Sequence, residues 1–257
     1  MANVCGLSII IAILTNLFCI CDAMSYICNS MSQRKSPHHR ITLKADAALR
    51  KSDKTRQAIL DTALKYLWTH PYRDLTVNDL MTLAGNSRSA FYRYYEDLPA
   101  MMDHLLNELK EKVIAGTTPW FQGEAEPIQL LKESLGNMVS ICYQYGPILR
   151  AVTDAAPTNE RLEKAWTRFV KDFDGAVTQR IEHQQAAGLI KPFNARPVAT
   201  ALNRMNAELV RHHFGRRPRT NQISVRDAII RVWVATLYGD NALKTCFSEE
   251  NTLTNLK

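Results

Sequence analysis

From Ile59 onward the apolar positions fall at helical spacing. Ile59, Leu60, Ala63, Leu64, Leu67 and Trp68 form one broad stripe, the pattern of a helix packed along one side. Asp53 is placed to cap its start, and Pro71 ends it after Thr69 and His70. A second helix opens at Thr76, where Asp79 stands in for the Glu of a capping box. Its buried face is Val77, Leu80, Met81 and Ala84, and Gly85 closes it by supplying the positive φ of a tight turn. Ser87 caps a third, very short helix with Ala90, Phe91, Tyr94 and Tyr95 on one side and Arg88, Ser89, Tyr92 and Arg93 on the other. A fourth helix follows from Asp97, with Pro99 in its first turn. Met101, Met102, Leu105, Leu106, Leu109 and Val113 carry its stripe to about Ala115.

Beyond Thr117-Thr118-Pro119 the periodicity predicts helices near 126–144, 147–155, 159–187, 195–214 and 224–239, broken by Gly188, Pro192, Pro197 and the stretch 215–218. There are no repeats or low-complexity tracts. Strand-like alternation of Val, Ile and Thr is scarce, and the fold class is all-α. The chain of 257 residues, 46% hydrophobic and 22% charged, has enough apolar material for a real core.

Charge and cysteine are unevenly spread. Residues 31–56 carry Arg34, Lys35, Arg40, Lys44, Arg50, Lys51, Lys54 and Arg56 against Asp46 and Asp53, within a net charge of +7. A basic arm before a folded domain commonly meets a polyanion; a solvated tail without a partner is the blander reading. Cys5, Cys19, Cys21 and Cys28 crowd the first 28 residues, leaving Cys142 and Cys246 elsewhere. That usage gives neither a metal-ligand spacing nor a disulfide framework and points to a reduced, cytoplasmic protein. Residues 4–21 are apolar enough to be considered as a membrane span. Three readings stand: translation beginning at Met24 or Met31, a genuine anchor, and a cleaved signal, although no Lys or Arg precedes the stretch.

The chemistry of residues 76–95 is that of a helix-turn-helix. The major groove admits an α-helix, guanidinium groups pair with guanine edges or phosphates, and Ser and Tyr hydroxyls dock on phosphate. A helical hairpin with a polar outer face is the structural alternative. In the second region Trp166, Phe169, Val170, Phe173 and Val177 repeat at helical spacing, as do Ile229, Val232, Trp233 and Thr236. Asn203 and Asn206 share a helix face with Ala199, Leu202 and Val210. Amides in so apolar a setting need partners, and a few polar groups in an apolar pocket are the usual form of a ligand site; capping or dimer-contact amides are the alternative. Catalytic constellations, paired carboxylates, phosphate-cradling glycine loops and metal spacings are missing from the sequence. His38-His39 and His212-His213 are adjacent pairs, and His183 is alone.

Gly85-Asn86-Ser87-Arg88-Ser89-Ala90-Phe91-Tyr92-Arg93-Tyr94-Tyr95 resembles the Gly-Val-Ser-x-x-Thr-Leu-Tyr-x-His-Phe signature of the TetR family of transcriptional regulators, with the likeness spanning roughly residues 54–112. Leu98 departs from it, where the family carries a phosphate-pairing lysine. The stretches 199–206 and 232–239 resemble the ethionamide-resistance-regulator (EthR-like) branch, whose members are dimeric repressors with a long apolar ligand tunnel. The resemblance implies DNA contacts from Lys54, Thr76, Ser87, Arg88, Ser89, Tyr92 and Arg93. It implies a tunnel wall of Met138, Trp166, Phe173, Asn203, Asn206 and Trp233, and a dimer built through the helices near 195–214 and 224–239.

The expected organisation is an apolar segment 1–30 outside the mature fold, a basic flexible arm 31–53, a DNA-binding domain 54–115, a ligand-binding and dimerisation domain 116–242, and a tail 243–257. The expected function is a repressor released from a palindromic double-stranded DNA operator by a small, largely apolar effector. No enzyme activity, cofactor or metal is expected. A membrane-tethered version of the same regulator and a helical small-molecule carrier that no longer binds DNA are the alternatives.

Overall fold

Alanine, leucine and lysine crowd residues 43–51, and all three are strong helix formers. The first helix, α1, accordingly begins well before Asp53 and runs Pro37–Leu67. Asp53 lies inside it and exposed rather than at its N-cap, and residues 37–53, expected as a flexible arm, have helical backbone. The computed structural model describes residues 37–123, 126–239 and 242, with side chains from Ser52 onward. The chain divides into two compact units, Met1–Lys51 and Ser52–Lys257, and the second holds the helix-turn-helix and the helical bundle. The apolar stretch 4–21, the choice among Met1, Met24 and Met31, and the tail 243–257 lie outside the described residues. Among the described residues no helix is long and apolar enough to cross a membrane.

Ile59, Leu60, Ala63 and Leu67 of α1 are fully buried, as the stripe requires. A 3₁₀ turn, Tyr72–Asp74, leads to α2 (Val77–Leu83), α3 (Arg88–Phe91) and α4 (Leu98–Gln122). Asp97 caps α4 by accepting the Ala100 amide at 2.7 Å. The expected end of α4 near Ala115 is overrun by two turns. Thr117 and Thr118 do not break the helix, because their hydroxyls fold back on the Val113 and Ile114 carbonyls at 2.8 and 3.0 Å. Pro119 does disturb the backbone ladder, and the next helix, α5 (Pro127–Ala155), repairs it. The Trp120 amide donates to Ser134 Oγ at 3.0 Å, and the Asn137 side-chain amide donates to the Gly116 carbonyl at 3.0 Å.

A similar repair merges the two helices expected at 126–144 and 147–155 into one, α5 (Pro127–Ala155). Pro147 has no amide to offer the Tyr143 carbonyl one turn back. Arg219 fills that place, donating from Nη1 to Tyr143 O at 2.6 Å. A 3₁₀ turn, Ala156–Thr158, then leads to α6 (Glu160–Ala186), α7 (Ala195–Phe214) and α8 (Gln222–Tyr238). Helix α5 is the centre of this bundle and packs on α4, α6, α7 and α8.

Several side chains bind the helix-turn-helix end to the bundle. Arg150 of α5, only 5% exposed, donates from Nη2 to the Leu67 and His70 carbonyls at 2.7 and 3.1 Å. It places a cation at the C-terminal end of α1, where the helix dipole favours one. Arg217 and Arg219, in the loop between α7 and α8, lie 5.1 and 4.9 Å from the Trp68 ring centroid. Along α4, ion pairs of Arg161 with Glu96 and Asp97, Arg168 with Asp103, and Lys110 with Asp172 fix its register against α6. These pairs are partly exposed and screened by solvent, so they set alignment more than stability.

Candidate nucleic-acid interface and ligand cavity

The turn between α2 and α3 is built from its sequence. Thr76 caps α2 by accepting the Asp79 amide at 3.1 Å and donating its own proton to Asp79 Oδ2 at 2.6 Å. Gly85 has φ +65°, and the Gly85 and Asn86 amides return to the Thr82 and Met81 carbonyls at 3.1 and 2.9 Å. That pair of bonds is the Schellman closure of a helix C-terminus. Ser87 stands at the N-cap of α3, yet its hydroxyl pairs with Ser89 Oγ at 2.9 Å instead of capping a backbone amide.

Helix α3 is a single turn, held from below by aromatic packing. Ala90, Phe91 and Tyr95 are buried, with the Phe91 ring 5.5 Å from Tyr92 and 5.7 Å from Tyr95. Arg88, Ser89, Tyr92 and Arg93 are all exposed, Tyr92 by 52%, in agreement with their spacing. Neither guanidinium has a carboxylate partner among the described residues, so both are free to meet an anion. Ser87, Thr76 and Lys54 are exposed as well, but Thr76 spends its hydroxyl proton on Asp79. Leu98, in the place of the family's lysine, is the first residue of α4 and packs half-buried against the core.

Tyr95 carries a defect. Its hydroxyl is buried and without a hydrogen-bond partner among the described residues, and burial pushes the phenol up to about 12, against a lowering influence of Arg56. A lone buried polar group costs about 1–3 kcal/mol. Tyr95→Phe, which deletes only that oxygen, is expected to raise the thermal midpoint by a few degrees, about 2–4 °C per kcal/mol in a domain of this size. A lower midpoint in a thermal melt would show that the hydroxyl is satisfied.

In the bundle, five of the six side chains expected at the ligand site converge. Two adjoining cavities, about 70 and 50 Å³, share Met138, Phe173, Asn203 and Asn206 in their walls, and Trp233 lines the smaller. Trp166 lines neither: it stacks on Phe169 with ring centroids 5.5 Å apart and supports the wall from behind. The two amides are neither helix caps nor idle. Asn206 Oδ1 accepts the Trp233 indole proton at 3.0 Å, and Asn203 donates to the buried Asp174 at 3.0 Å. Asp174 also takes bonds from Thr200 and Arg204 at 3.1 and 3.2 Å.

Sequence reasoning misses Asp174, although a carboxylate between Val170 and Val177 on a buried stripe is a signal. It also misses Phe121 and Cys142, which line the smaller and the larger cavity respectively. Burial pushes the Cys142 thiol up to about 12, which makes it an apolar wall group rather than a nucleophile.

Solved structures share this architecture. A TetR-family transcriptional regulator from Syntrophomonas wolfei matches with a TM-score of 0.62 at 14% identity, covering 71% of this chain and 94% of that one. AibR, solved in complex with isovaleryl coenzyme A and operator DNA, matches with a TM-score of 0.55 at 14% identity, covering 72% and 98%. The fold is that of the TetR-family regulators.

Sequence likeness narrows the class. Residues 131–239 match the family described as transcriptional regulator EthR, C-terminal domain. The HTH-type transcriptional regulator EthR of Mycobacterium tuberculosis is 27% identical over 221 residues, which is 83% of this chain and 98% of that protein. Both likenesses, in sequence and in fold, are to transcriptional regulators of the TetR/EthR type and not to enzymes.

Proposed function

We propose that the protein is a dimeric repressor that docks α3 in the major groove of a palindromic operator and is released by a small, largely apolar effector. The observation that carries the reading is the exposed display of Arg88, Ser89, Tyr92 and Arg93 on and just past a one-turn helix clamped by Phe91 and Tyr95, with neither guanidinium paired to a carboxylate among the described residues. Guanidinium and hydroxyl groups on a rigid mount suit phosphate docking and base-edge contact. Ser87 and Lys54 are exposed and add phosphate partners; Thr76 joins them if its proton moves from Asp79 to a phosphate oxygen. AibR was solved with both an acyl ligand and operator DNA, so one fold serves both partners there. Operator binding needs access to the chromosome, and the reading carries a cytoplasmic location with it.

Dimerisation through α7 and α8 is supported by an exposed stripe on α8. Ser224, Ala228, Val232 and Thr236 lie four apart, all exposed and none charged, with Val232 presenting an apolar side chain to solvent. Two copies joined there present the same surface to each other, the usual closed two-fold arrangement, and pair their recognition helices for a palindromic site.

Release follows from linkage. Val113, Thr117, Trp120 and Phe121 of α4 wall the cavities, while Met101, Met102 and Leu105 at its other end sit in the core of the DNA-binding end. Helix α1 is meanwhile tied to α5 by Arg150. A guest that swells the cavities moves α4 against that tie and resets the spacing of the two α3 helices. Ligand and operator then lower each other's affinity by one common factor, typically about 5–150-fold.

Tyr92→Ala is expected to weaken operator binding about tenfold without moving the melting temperature, since a hydrogen bond to a charged group contributes about 1.5–3 kcal/mol. Tyr92→Phe, which removes the hydroxyl alone, should reproduce most of that loss in an anisotropy titration. Unchanged affinity in both variants would contradict this docking of α3.

A further inference from the structure

Outside the two small cavities lies an open cleft of about 780 Å³ between the C-terminal turns of α4 and the second half of α6. Phe121 and Phe173 belong to both spaces: each lines the cleft, and each lines at least one inner cavity. The two rings are therefore the partition between the surface and the buried apolar space. The compartments differ sharply in chemistry. Carbon and a few neutral amides dominate the inner walls, whereas the cleft displays Arg180 and His183.

Arg180 is poised rather than spent. Its Nη2 donates to the Gly123 carbonyl at 2.9 Å, and its guanidinium carbon lies 6.0 Å from the Trp120 ring centroid. Among the described residues it has no carboxylate partner, and the one acidic side chain lining the cleft, Asp172, is occupied by Lys110 at 3.0 Å. Gln184, buried behind it, lies 2.7 Å from the Tyr238 hydroxyl. With its amide turned to donate there, its oxygen sits 3.3 Å from both Nη2 and Nε of Arg180. The Trp120 indole donates to the same Tyr238 hydroxyl at 3.3 Å. Arg180 is thus oriented through Gln184 by residues of α4 and α8, and an anion placed on it would pull on both helices.

We propose that the effector is an anionic amphiphile: a carboxylate or phosphate head held in the cleft by Arg180 with His183, and a short acyl tail passing between Phe121 and Phe173 into the inner cavities. The assignment rests on the ligand-binding reading under Proposed function and gives that ligand a charge, a polarity of insertion and a size. At roughly 30 Å³ per small group, the inner space holds on the order of four carbon atoms before its walls must move. A longer tail therefore forces the swelling that release requires. Two sources share this chemistry, a free fatty acid and an acyl chain on a phosphorylated carrier. The cleft volume has room for the larger head.

The test is isothermal titration of the full chain with sodium hexanoate, hexyl phosphate and the neutral methyl hexanoate, repeated with Arg180→Gln and the charge-keeping Arg180→Lys. The expected result is that at least one anion binds about tenfold or more tightly than the ester, as a charge-assisted hydrogen bond allows. That preference should shrink with added salt, vanish in Arg180→Gln and survive in part in Arg180→Lys. Preference for hexanoate would assign a free acid, and preference for hexyl phosphate a phosphorylated head. The anion-to-ester contrast in the unmodified protein needs no variant to fold. Equal binding of ester and anions, unaffected by Arg180→Gln, would overturn the head-group assignment and leave the apolar cavity reading intact. Failure of all three compounds to bind would overturn both.

Discussion

Gly146→Ala is expected to destabilise the protein by about 2 kcal/mol, lowering its thermal midpoint by roughly 4–8 °C. Gly146 lies buried in the middle of α5, where a Cβ would sit 2.4 Å from the Phe214 carbonyl oxygen, 2.7 Å from its carbonyl carbon and 2.9 Å from its Cβ. These are mainly backbone atoms at the end of α7, which cannot swing aside as a side-chain tip would. Relief requires moving the loop that begins at Gly215, and that loop is itself held. Arg217 and Arg219 rest on Trp68, Arg219 is bonded to Tyr143, and Gly215 is packed against Arg150. Two effects compete. Alanine gains about 1 kcal/mol over glycine in helix propensity, while overpacking a rigid contact costs about 1–3 kcal/mol and occasionally more. With two backbone atoms below 3 Å the overpacking cost falls at the upper end of that range, about 3 kcal/mol, and the clash wins by about 2 kcal/mol. A denaturant or thermal melt reads the outcome; an unchanged or raised midpoint would mean that α5 and α7 do not cross this closely.

Replacing Arg88 and Arg93 together by alanine is expected to lower operator affinity about a hundredfold while leaving the fold alone. Both side chains are exposed and neither is paired to a carboxylate among the described residues, so their loss removes no ion pair that stabilises the native chain. What disappears is interaction with DNA, about 1–3 kcal/mol for each bidentate base contact. Salt dependence separates the roles of the two. Removing one phosphate-binding side chain flattens the slope of log K against log salt by about 0.9, whereas removing a guanine-binding one lowers affinity without that change. An anisotropy titration of the double variant at several salt concentrations gives both numbers. Wild-type affinity and slope in the variant would put the DNA on another face.

The DNA-binding end is readable from sequence because its determinants are local. Gly85 is legible as a positive-φ turn, Thr76 with Asp79 as a cap, and Arg88, Ser89, Tyr92 and Arg93 as one face by spacing alone. Sequence reading fails where a distant side chain overrides a local rule. Pro119 and Pro147 read as breaks, yet Ser134 and Asn137 patch the first helix and Arg219 the second, from elements far along the chain. Asn203 and Asn206 do line the inner cavities, but their partners, Asp174 and Trp233, belong to other helices and no spacing rule pairs them. Trp166 shares the stripe of Phe173 and still misses the cavity, because Phe169 stands between them and takes its face. The cleft at Arg180 carries no sequence signal: α4 and α6 meet there only after the bundle has folded.

The most direct test of the account is a fluorescence-anisotropy titration of the protein against duplexes tiled from the DNA upstream of its own gene, at several salt concentrations and with a scrambled duplex as control. Tight binding to one tile, a steep loss of affinity with salt and an even number of protomers per site are predicted. Equal, weak binding to every tile and to the scrambled duplex would contradict it and leave a helical ligand carrier in its place.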